Sequence, residues 1–418
     1  MISPASLVAV SSYAGEGSVG ANRISVLAAF AGAEFSCRSC YVLISARWLN
    51  IGTEPGVLVG FVVSAILFGF SLFAAFGTTE VSLRSTFQAR SFRWVLLYLA
   101  FAGCSLLWSG AASSSSSALY WLSLLSDVLI VVLLCRGFGV EIATRSLLKG
   151  YIAGTCVLAA IAWIMPREYD LRLGDLEYFN TNQIGNLCAL AFLMCSLLAI
   201  RGDRHWRGVS LFLGLTLFRS VSKATIIALV ACESYRLAKS QSMSRKQKWL
   251  LILGAVAVCL AFLGLWEAYF AIYTTTGNQA ETLTGRTAIW AWSLAASLNH
   301  PWFGNGFDAM WKIAPPFGGD LFEARHAENE VLQQFFAYGL CGIVLLAGVY
   351  GSLYRRIRLI RMESQRSLLI GFLIYVVVRG LAEAEPFDLL LPLWLVTAMA
   401  FLIHAENSRS LSDDPGWS

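Results

Sequence analysis

The feature that most constrains this chain is a series of apolar stretches, most of them long enough to cross a lipid bilayer. A transmembrane helix needs about 20 apolar residues, because lipid leaves the backbone no water to hydrogen-bond. Of the 418 residues, 57% are hydrophobic and only 14% are charged, whereas soluble chains carry roughly a quarter charged residues. We predict about twelve spans, at residues 24–46, 55–76, 93–109, 118–135, 148–165, 183–200, 207–219, 221–236, 248–270, 330–354, 367–385 and 388–404.

Basic residues lie in alternate loops, and this distribution predicts the orientation of the chain. The basic loops span residues 84–93, 136–149, 201–207, 236–248 and 355–366. Loops rich in Lys and Arg stay in the cytoplasm, whereas the opposite set holds a serine run at 113–117 and a net acidic segment at 167–182. The serine run is interpreted as an unstructured turn. We therefore expect both termini in the cytoplasm and residues 271–329 on the outer side.

The predicted organisation has one large extramembrane segment and no soluble domain. We expect a cytoplasmic segment at 1–23, helices across 24–270, a catalytic periplasmic loop at 271–329, three helices across 330–404 and a cytoplasmic tail at 405–418. The first span is the weakest, because it contains Glu34 and Arg38. The large loop mixes Trp and Phe with Gly and Pro, which favours an ordered loop over a flexible linker.

Several cations are predicted to gather on the outer side. Charge at the edge of a span is costly and is often kept for a substrate. The ordinary alternative is an interfacial cation or an internal ion pair, which is strongest for Arg379 because Glu383 lies one helical turn away. Few acidic residues lie in the same spans, so a phosphate-bearing ligand would supply the missing negative charge. The candidates are Arg219, Lys223, Arg286, Arg325 with His326, and Arg379.

Short motifs follow one another in the predicted outer loop. In order they are Gly285-Arg286-x-x-x-Trp290, Pro301-x-x-Gly304-x-Gly306, and the pair Glu328-Asn329 ahead of Gly339-x-x-Gly342. This ordered set resembles the superfamily of O-antigen ligases and Wzy-type polymerases, bacterial envelope glycosyltransferases. Two earlier elements resemble its exopolysaccharide-polymerase branch, namely Ser222-Lys223-Ala-Thr225 and Asn182-Gln-Ile-Gly185.

The resemblance implies an all-α, GT-C-like polytopic protein of the bacterial inner membrane that acts at its periplasmic face. Such proteins move a glycan from an undecaprenyl-pyrophosphate carrier to an acceptor hydroxyl, without a metal, cofactor or nucleotide sugar. The implied partners are this lipid-linked oligosaccharide and membrane lipids, with a chain-length regulator protein left open. The implied pyrophosphate ligands are Arg286 first, then Lys223 and Arg219, then Arg325 and Arg379, with Asn182, Trp290 and Asn329 as further substrate contacts.

The sequence departs from the family pattern at the catalytic base. The family places a histidine before the asparagine, but Glu328 stands there, and His326 lies two residues earlier. Either side chain would serve as the base. The ordinary pKa of a glutamate is about 4.3, and partial burial can raise it by units.

Three functions remain open at this point. The leading one is a polymerase of lipid-linked repeat units, followed by a ligase that transfers the finished glycan to lipid A core or another acceptor. A flippase of lipid-linked sugars would place its cations along a cavity open in turn to both sides, whereas these are predicted to cluster outside. Nucleic acid is not expected as a partner, because the basic residues form short inter-helix clusters instead of one face.

Overall fold

A computed structural model describes residues 25–77, 89–165, 171–174, 179–240, 244–268, 283–317 and 323–412. Throughout these ranges the chain is helical with connecting turns and contains no β-strand. The predicted segment 1–23 and residues 413–418 of the predicted tail lie outside the described residues. The helices are α1 (Ser25–Trp48), α2 (Glu54–Gly77), α3 (Arg90–Ser105), α4 (Ser114–Phe138), α5 (Val140–Ile164), α6 (Thr181–Ile200), α7 (Trp206–Ser220), α8 (Lys223–Lys239), α9 (Arg245–Ala261), α10 (Leu283–Asn299), α11 (Met310–Ile313), α12 (Glu330–Ile357), α13 (Glu363–Arg379) and α14 (Leu393–Ser412).

Every predicted apolar stretch overlaps one of these helices, and the all-α class is confirmed. Among the described residues, six helices are long and apolar enough to cross a membrane, namely α1, α2, α4, α5, α6 and α12. The chain is therefore a multi-pass membrane protein. That the remaining stretches also cross, and that residues 271–329 face the periplasm, stay predictions.

The charges that made the first span weak are paired inside the bundle. Arg38 in α1 donates from Nη1 to Oδ2 of Asp127 in α4 at 2.6 Å and from Nη2 to Ser64 in α2 at 3.0 Å. The hydroxyl of Tyr41 donates to Glu34 at 2.6 Å. Buried charges are tolerated when they are paired and hydrogen-bonded. This network holds α1, α2 and α4 together within the predicted spans.

The serine run at 113–117 begins a helix, so its interpretation as an unstructured turn is wrong. Ser113 is the N-cap of α4, and its side chain accepts a hydrogen bond from the backbone N–H of Ser116. Ser117 donates to the carboxylate of Asp308 at 2.7 Å. Serine is a weak helix former inside a helix but satisfies the free N–H groups at its start, and that is the position this run occupies.

Helix α6 packs against four other helices of the bundle, and its first residues lie at the candidate site. It packs against α5, α7, α8 and α13, and α13 also packs against α8. The hydroxyl of Tyr375 in α13 donates to Asn186 in α6 at 2.8 Å between buried side chains. The starts of α6 and α8 and the end of α13 consequently lie at the same end of the bundle.

The turn 301–306 docks onto α12 through backbone hydrogen bonds. The N–H of Asn305 donates to the carbonyl of Phe336, and the N–H of Gly306 donates to Ala337, both at 2.9 Å. Helix α12 is interrupted at this point, and the interruption exposes the carbonyls that the turn pairs with. Two motifs that are far apart in the sequence thus form one structural unit.

Glycine is required on both sides of this contact. Gly339 has φ 63° and ψ −152°, and a Cβ atom there would lie 2.4 Å from the carbonyl carbon of Trp302. Gly304 has φ 66°, and its Cβ would lie 2.4 Å from the backbone of Ala337. Side chains at either position would strain the backbone and separate the two segments.

Candidate functional site

Arg286 lies near the start of α10 and meets two carboxylates from distant parts of the chain. Its Nη2 is 3.0 Å from Oε1 of Glu383 and 3.4 Å from Oε2 of Glu328. The Arg286 side chain is 17% exposed. We expected acidic partners to be scarce because few lie in the spans, and that expectation is wrong for Arg286. Its counter-charges come from the segments that precede α12 and follow α13.

Glu383 connects four elements. Its side chain is 5% exposed, and its Oε1 accepts from Nδ2 of Asn182, at the start of α6, at 2.9 Å. The Oδ1 of Asn182 accepts in turn from the hydroxyl of Ser222, just before α8, at 3.0 Å. Together with Arg286, these contacts make Glu383 the centre of a polar network. The sequence suggested Glu383 only as a partner of Arg379, since contacts across 97 and 201 residues leave no local pattern.

Glu328 has its backbone in the left-handed region, and one of its carboxylate oxygens is ion-paired with Arg286 without a hydrogen bond. Its φ is 52°, a strained value for a residue other than glycine. Its carbonyl accepts from the indole N–H of Trp290 at 3.1 Å, which fixes the loop to α10. Oε2 is buried and accepts no hydrogen bond from the part of the chain that the structure describes. Burial raises the pKa of the Glu328 carboxyl, while His326 and Arg286 act in the opposite direction.

His326 is oriented by the same loop. Its Nδ1 accepts the backbone N–H of Glu328 at 3.4 Å and lies 3.7 Å from Glu328 Oε1. Both candidate bases, Glu328 and His326, therefore lie close together in one loop, and the Glu328 carboxylate is the one next to Arg286.

Arg379 forms internal ion pairs, which is the ordinary alternative to substrate binding that the sequence suggests for it. Its side chain is 2% exposed and lies 4.0 Å from Glu383 and 3.7 Å from Glu385. Nε and Nη1 are buried without a hydrogen-bond partner among the described residues. The guanidinium of Arg379 thus adds positive charge beneath the network around Arg286.

The cations of the α7–α8 turn lie on two sides of it. Arg219 ends α7, is buried, and donates to the carbonyl of Leu171 at 2.7 Å. It lines a small cavity together with Arg172 and Trp163. Lys223 opens α8 directly after Ser222, which belongs to the Asn182 network. Lys223 is therefore joined to the network through its neighbour in the chain, whereas the contact described for Arg219 is to the segment 171–174.

Three of the remaining candidates make contacts within the fold. The exposed Arg325 places its guanidinium over the ring of Trp311 at 5.2 Å. Asn329 caps α12 by accepting the N–H of Leu332 at 3.0 Å, and its Nδ2 donates to Leu381 at 3.1 Å. With the Trp290 contact described above, both Asn329 and Trp290 hold the loop of Glu328 in place.

Comparison with known proteins gives consistent matches. The family model described as O-antigen ligase, Wzy_C, matches residues 208–347. The chain is 24% identical over 327 residues to the exopolysaccharide production protein ExoQ of Rhizobium meliloti (strain 1021), covering 71% of this chain and 73% of that protein. It is 27% identical over 144 residues to an O-antigen ligase of Pseudomonas aeruginosa (strain PAO1), covering 33% and 35%. The region matched by the family model contains Lys223, Arg286 and Glu328.

Proposed function

We propose that this chain, which resembles the superfamily of O-antigen ligases and Wzy-type polymerases, polymerises undecaprenyl-pyrophosphate-linked repeat units at the periplasmic face of the bacterial inner membrane. Similarity over 71% of the chain to an exopolysaccharide production protein supports a role in exopolysaccharide production. The observation that carries the proposal is Arg286 beside the partly buried Glu328, since the reaction needs a cation for the diphosphate next to a base for the acceptor.

In the proposed reaction an acceptor hydroxyl attacks the anomeric carbon of the donor sugar. The new glycosidic C–O bond forms while the anomeric C–O bond to phosphate breaks, and undecaprenyl pyrophosphate leaves with the electron pair. Arg286 and Lys223 stabilise the negative charge on the leaving diphosphate, as preorganised cations do in a site from which water is excluded. Arg379 contributes at longer range, and the hydroxyl proton passes to the base.

Glu328 is the better supported base of the two candidates. Its Oε2 is buried and accepts no hydrogen bond from the described residues, so it has room for the acceptor's hydroxyl proton. Burial also raises its pKa, which brings a carboxylate closer to the strength that general base catalysis at neutral pH requires. His326 Nδ1 is occupied by a backbone N–H. We assign His326 to orienting the loop.

Metal independence is part of the proposal and rests on the sequence. The predicted outer loop holds no DxD-like carboxylate pair of the kind that positions a divalent ion in other glycosyltransferases. The carboxylates near the site are instead paired with arginines, as Glu383 is with Arg286. Guanidinium groups supply the charge that a metal would otherwise bring to a diphosphate.

The function is tested by analysing the glycans of a strain that lacks the protein. A polymerase leaves single repeat units on the lipid carrier, and reintroduced wild type restores long chains. The Arg286→Ala variant should restore none, at normal protein level in the membrane, while the control Arg325→Ala should restore wild-type chains. Polymer of normal length and yield from Arg286→Ala would reject the assignment of Arg286.

The second candidate is a ligase, which the match to the O-antigen ligase model favours. In the same strain a ligase defect would leave long chains stranded on the carrier, without attachment to their acceptor. Carrier-linked units retained on the cytoplasmic side would instead indicate a flippase. Each of the three outcomes excludes the other two functions.

A further inference from the structure

The two carboxylates around Arg286 are held unequally. Glu383 Oε1 is 3.0 Å from Nη2 and also accepts the amide of Asn182, while its other oxygen faces Arg379. Glu328 Oε2 is 3.4 Å from the same nitrogen and accepts no hydrogen bond from the described residues. Arg286 is therefore hydrogen-bonded to Glu383, whereas its ion pair with Glu328 is longer and is not a hydrogen bond.

An incoming diphosphate competes with these carboxylates for the guanidinium. It carries more negative charge than one carboxylate and forms the same charge-assisted hydrogen bonds with arginine. The partner with fewer hydrogen bonds is the easier one to displace, because less is lost when it leaves. That partner is Glu328.

Building on the proposed function, we propose that the donor's diphosphate replaces Glu328 on Arg286 while Glu383 keeps Arg286 in place, so that donor binding releases the base for the acceptor. The freed Oε2 takes the acceptor's hydroxyl proton as the glycosidic bond forms and the anomeric bond to phosphate breaks. The proton then returns to solvent. Glu383 acts as a positioning residue, because it acts on the substrate only through Arg286.

The exchange has a signature in the pH dependence of the rate. The charged or titratable groups that face Glu328 are His326 on its own loop, Arg286 on α10, and Glu383 and Arg379 at the end of α13. Burial raises the pKa of Glu328, and Arg286 lowers it. When a diphosphate takes Arg286, that lowering is lost and negative charge is added, so the pKa of Glu328 rises.

The direction of the pH shift follows because Glu328 must be ionised to act as the base. Activity is lost as pH falls through the pKa of Glu328, and kcat/KM reports the free protein whereas kcat reports the donor complex. The acid limb of kcat should therefore lie at higher pH than the acid limb of kcat/KM. We expect a separation of about one pH unit, the order of shift that one neighbouring charge produces.

The measurement uses the full chain in lipid nanodiscs. The donor is the pyrophosphate-linked repeat unit extracted from a strain that lacks the protein, and initial rates are recorded against donor concentration from about pH 5 to about pH 9, a range that spans the titration of a raised glutamate. Limbs separated in the stated direction support the exchange. Coincident limbs, or a kcat limb at lower pH, overturn the inference alone. No product from the wild type overturns the proposed function as well.

Variants of Glu383 test its positioning role. Glu383→Gln keeps an oxygen for Arg286 and Asn182 but removes a charge that raises the pKa of Glu328. It should keep kcat/KM within about tenfold and move its acid limb to lower pH, whereas Glu383→Ala releases Arg286 and should lose about a hundredfold, the usual effect of a displaced group.

The matched control is Glu385→Gln. The Glu385 side chain is 39% exposed and pairs with Arg379, so its variant should leave both limbs in place. An unshifted limb in Glu383→Gln, or wild-type kinetics in Glu383→Ala, would contradict the role of Glu383. If either variant is absent from the membrane, the separation of the two acid limbs in the wild type still tests whether the diphosphate replaces Glu328 on Arg286.

Discussion

Glu328 occupies a position in which a carboxylate can work as a base. Its backbone has a positive φ, and its carbonyl accepts the indole N–H of Trp290. Its Oε2 accepts no hydrogen bond from the described residues, and burial raises the pKa of its carboxyl. Strained residues of this kind are found where a side chain must point in one direction for chemistry. His326, two residues earlier, supports the same loop through its Nδ1.

At this scale we predict that Glu328→Gln is far more damaging than His326→Ala. The amide keeps the size of the side chain but cannot accept the acceptor's proton, so the rate should fall about 10²- to 10⁴-fold, the usual contribution of a general base. His326→Ala should lose less than about tenfold, because one weak backbone contact is removed. Polymer yield and single-turnover rates at equal protein level measure both. The reverse ranking would transfer the base role to His326.

Residue by residue, the sequence pointed to Arg286, Glu328 and His326 because they stand in or beside recognisable motifs. It did not point to Glu383 as the partner of Arg286, because that pairing exists only once α6, α10 and α13 are packed together. It also suggested Asn329 and Trp290 as substrate contacts, whereas both have hydrogen bonds that build the loop. A motif identifies which residues matter more readily than which atoms they contact.

At the scale of elements, the glycine motifs explain how the site is assembled. The turn 301–306 pairs with the interruption of α12 at Gly339, and α12 begins directly after the loop of Glu328. The docked turn therefore fixes the start of α12 relative to α10, and with it the distance between Arg286 and Glu328.

We predict that Gly339→Ala destabilises the protein by more than about 1 kcal/mol, the lower end for an unfavourable backbone conformation. Its φ is 63°, and the added Cβ would lie 2.4 Å from the backbone of Trp302. The melting temperature of the purified protein in detergent measures the effect. The control is Gly351→Ala in the same helix, where nothing lies within 4 Å of the added atom. Equal melting temperatures for the two variants would contradict the docking role of Gly339.

The helices themselves were largely predictable, whereas α10 was not. Some apolar stretches predict bounds within a few residues of those in the structure, as for α6 at 183–200 against Thr181–Ile200. Others miss a helix end by about two turns, as for α5 at 148–165 against Val140–Ile164. The sequence predicts an ordered loop where α10 lies, because this region mixes Trp and Phe with Gly and Pro. The serine run was assigned to a turn because composition does not distinguish the start of a helix from a loop.

At the scale of the whole molecule, the polar network lies at one end of the bundle. The starts of α6, α8, α10 and α12 and the end of α13 all meet there through Asn182, Ser222, Arg286, Glu328 and Glu383. The basic loop at 355–366 connects the opposite ends of α12 and α13. If basic loops face the cytoplasm, the network faces the periplasm.

Reporter fusions test this orientation. Alkaline phosphatase, which is active only outside the cytoplasm, should be active when fused after Asn329 and inactive when fused after Arg361, since the two positions flank opposite ends of α12. Comparable expression of the two fusions is the control, checked by immunoblot. Activity only in the fusion after Arg361 would invert the molecule and remove the proposed reaction from the periplasm.

The pairing of Arg38 with Asp127 also bears on how the chain enters the membrane during synthesis. Their partnership joins the first helix to the fourth across a sequence separation of 89 residues, and an unpaired arginine is unfavourable in hydrocarbon. When α1 leaves the ribosome, Glu34, one helical turn from Arg38, is the acidic partner already made. Asp127 arrives only with α4, so we expect the pairing that joins α1 to the bundle to form once α4 has emerged.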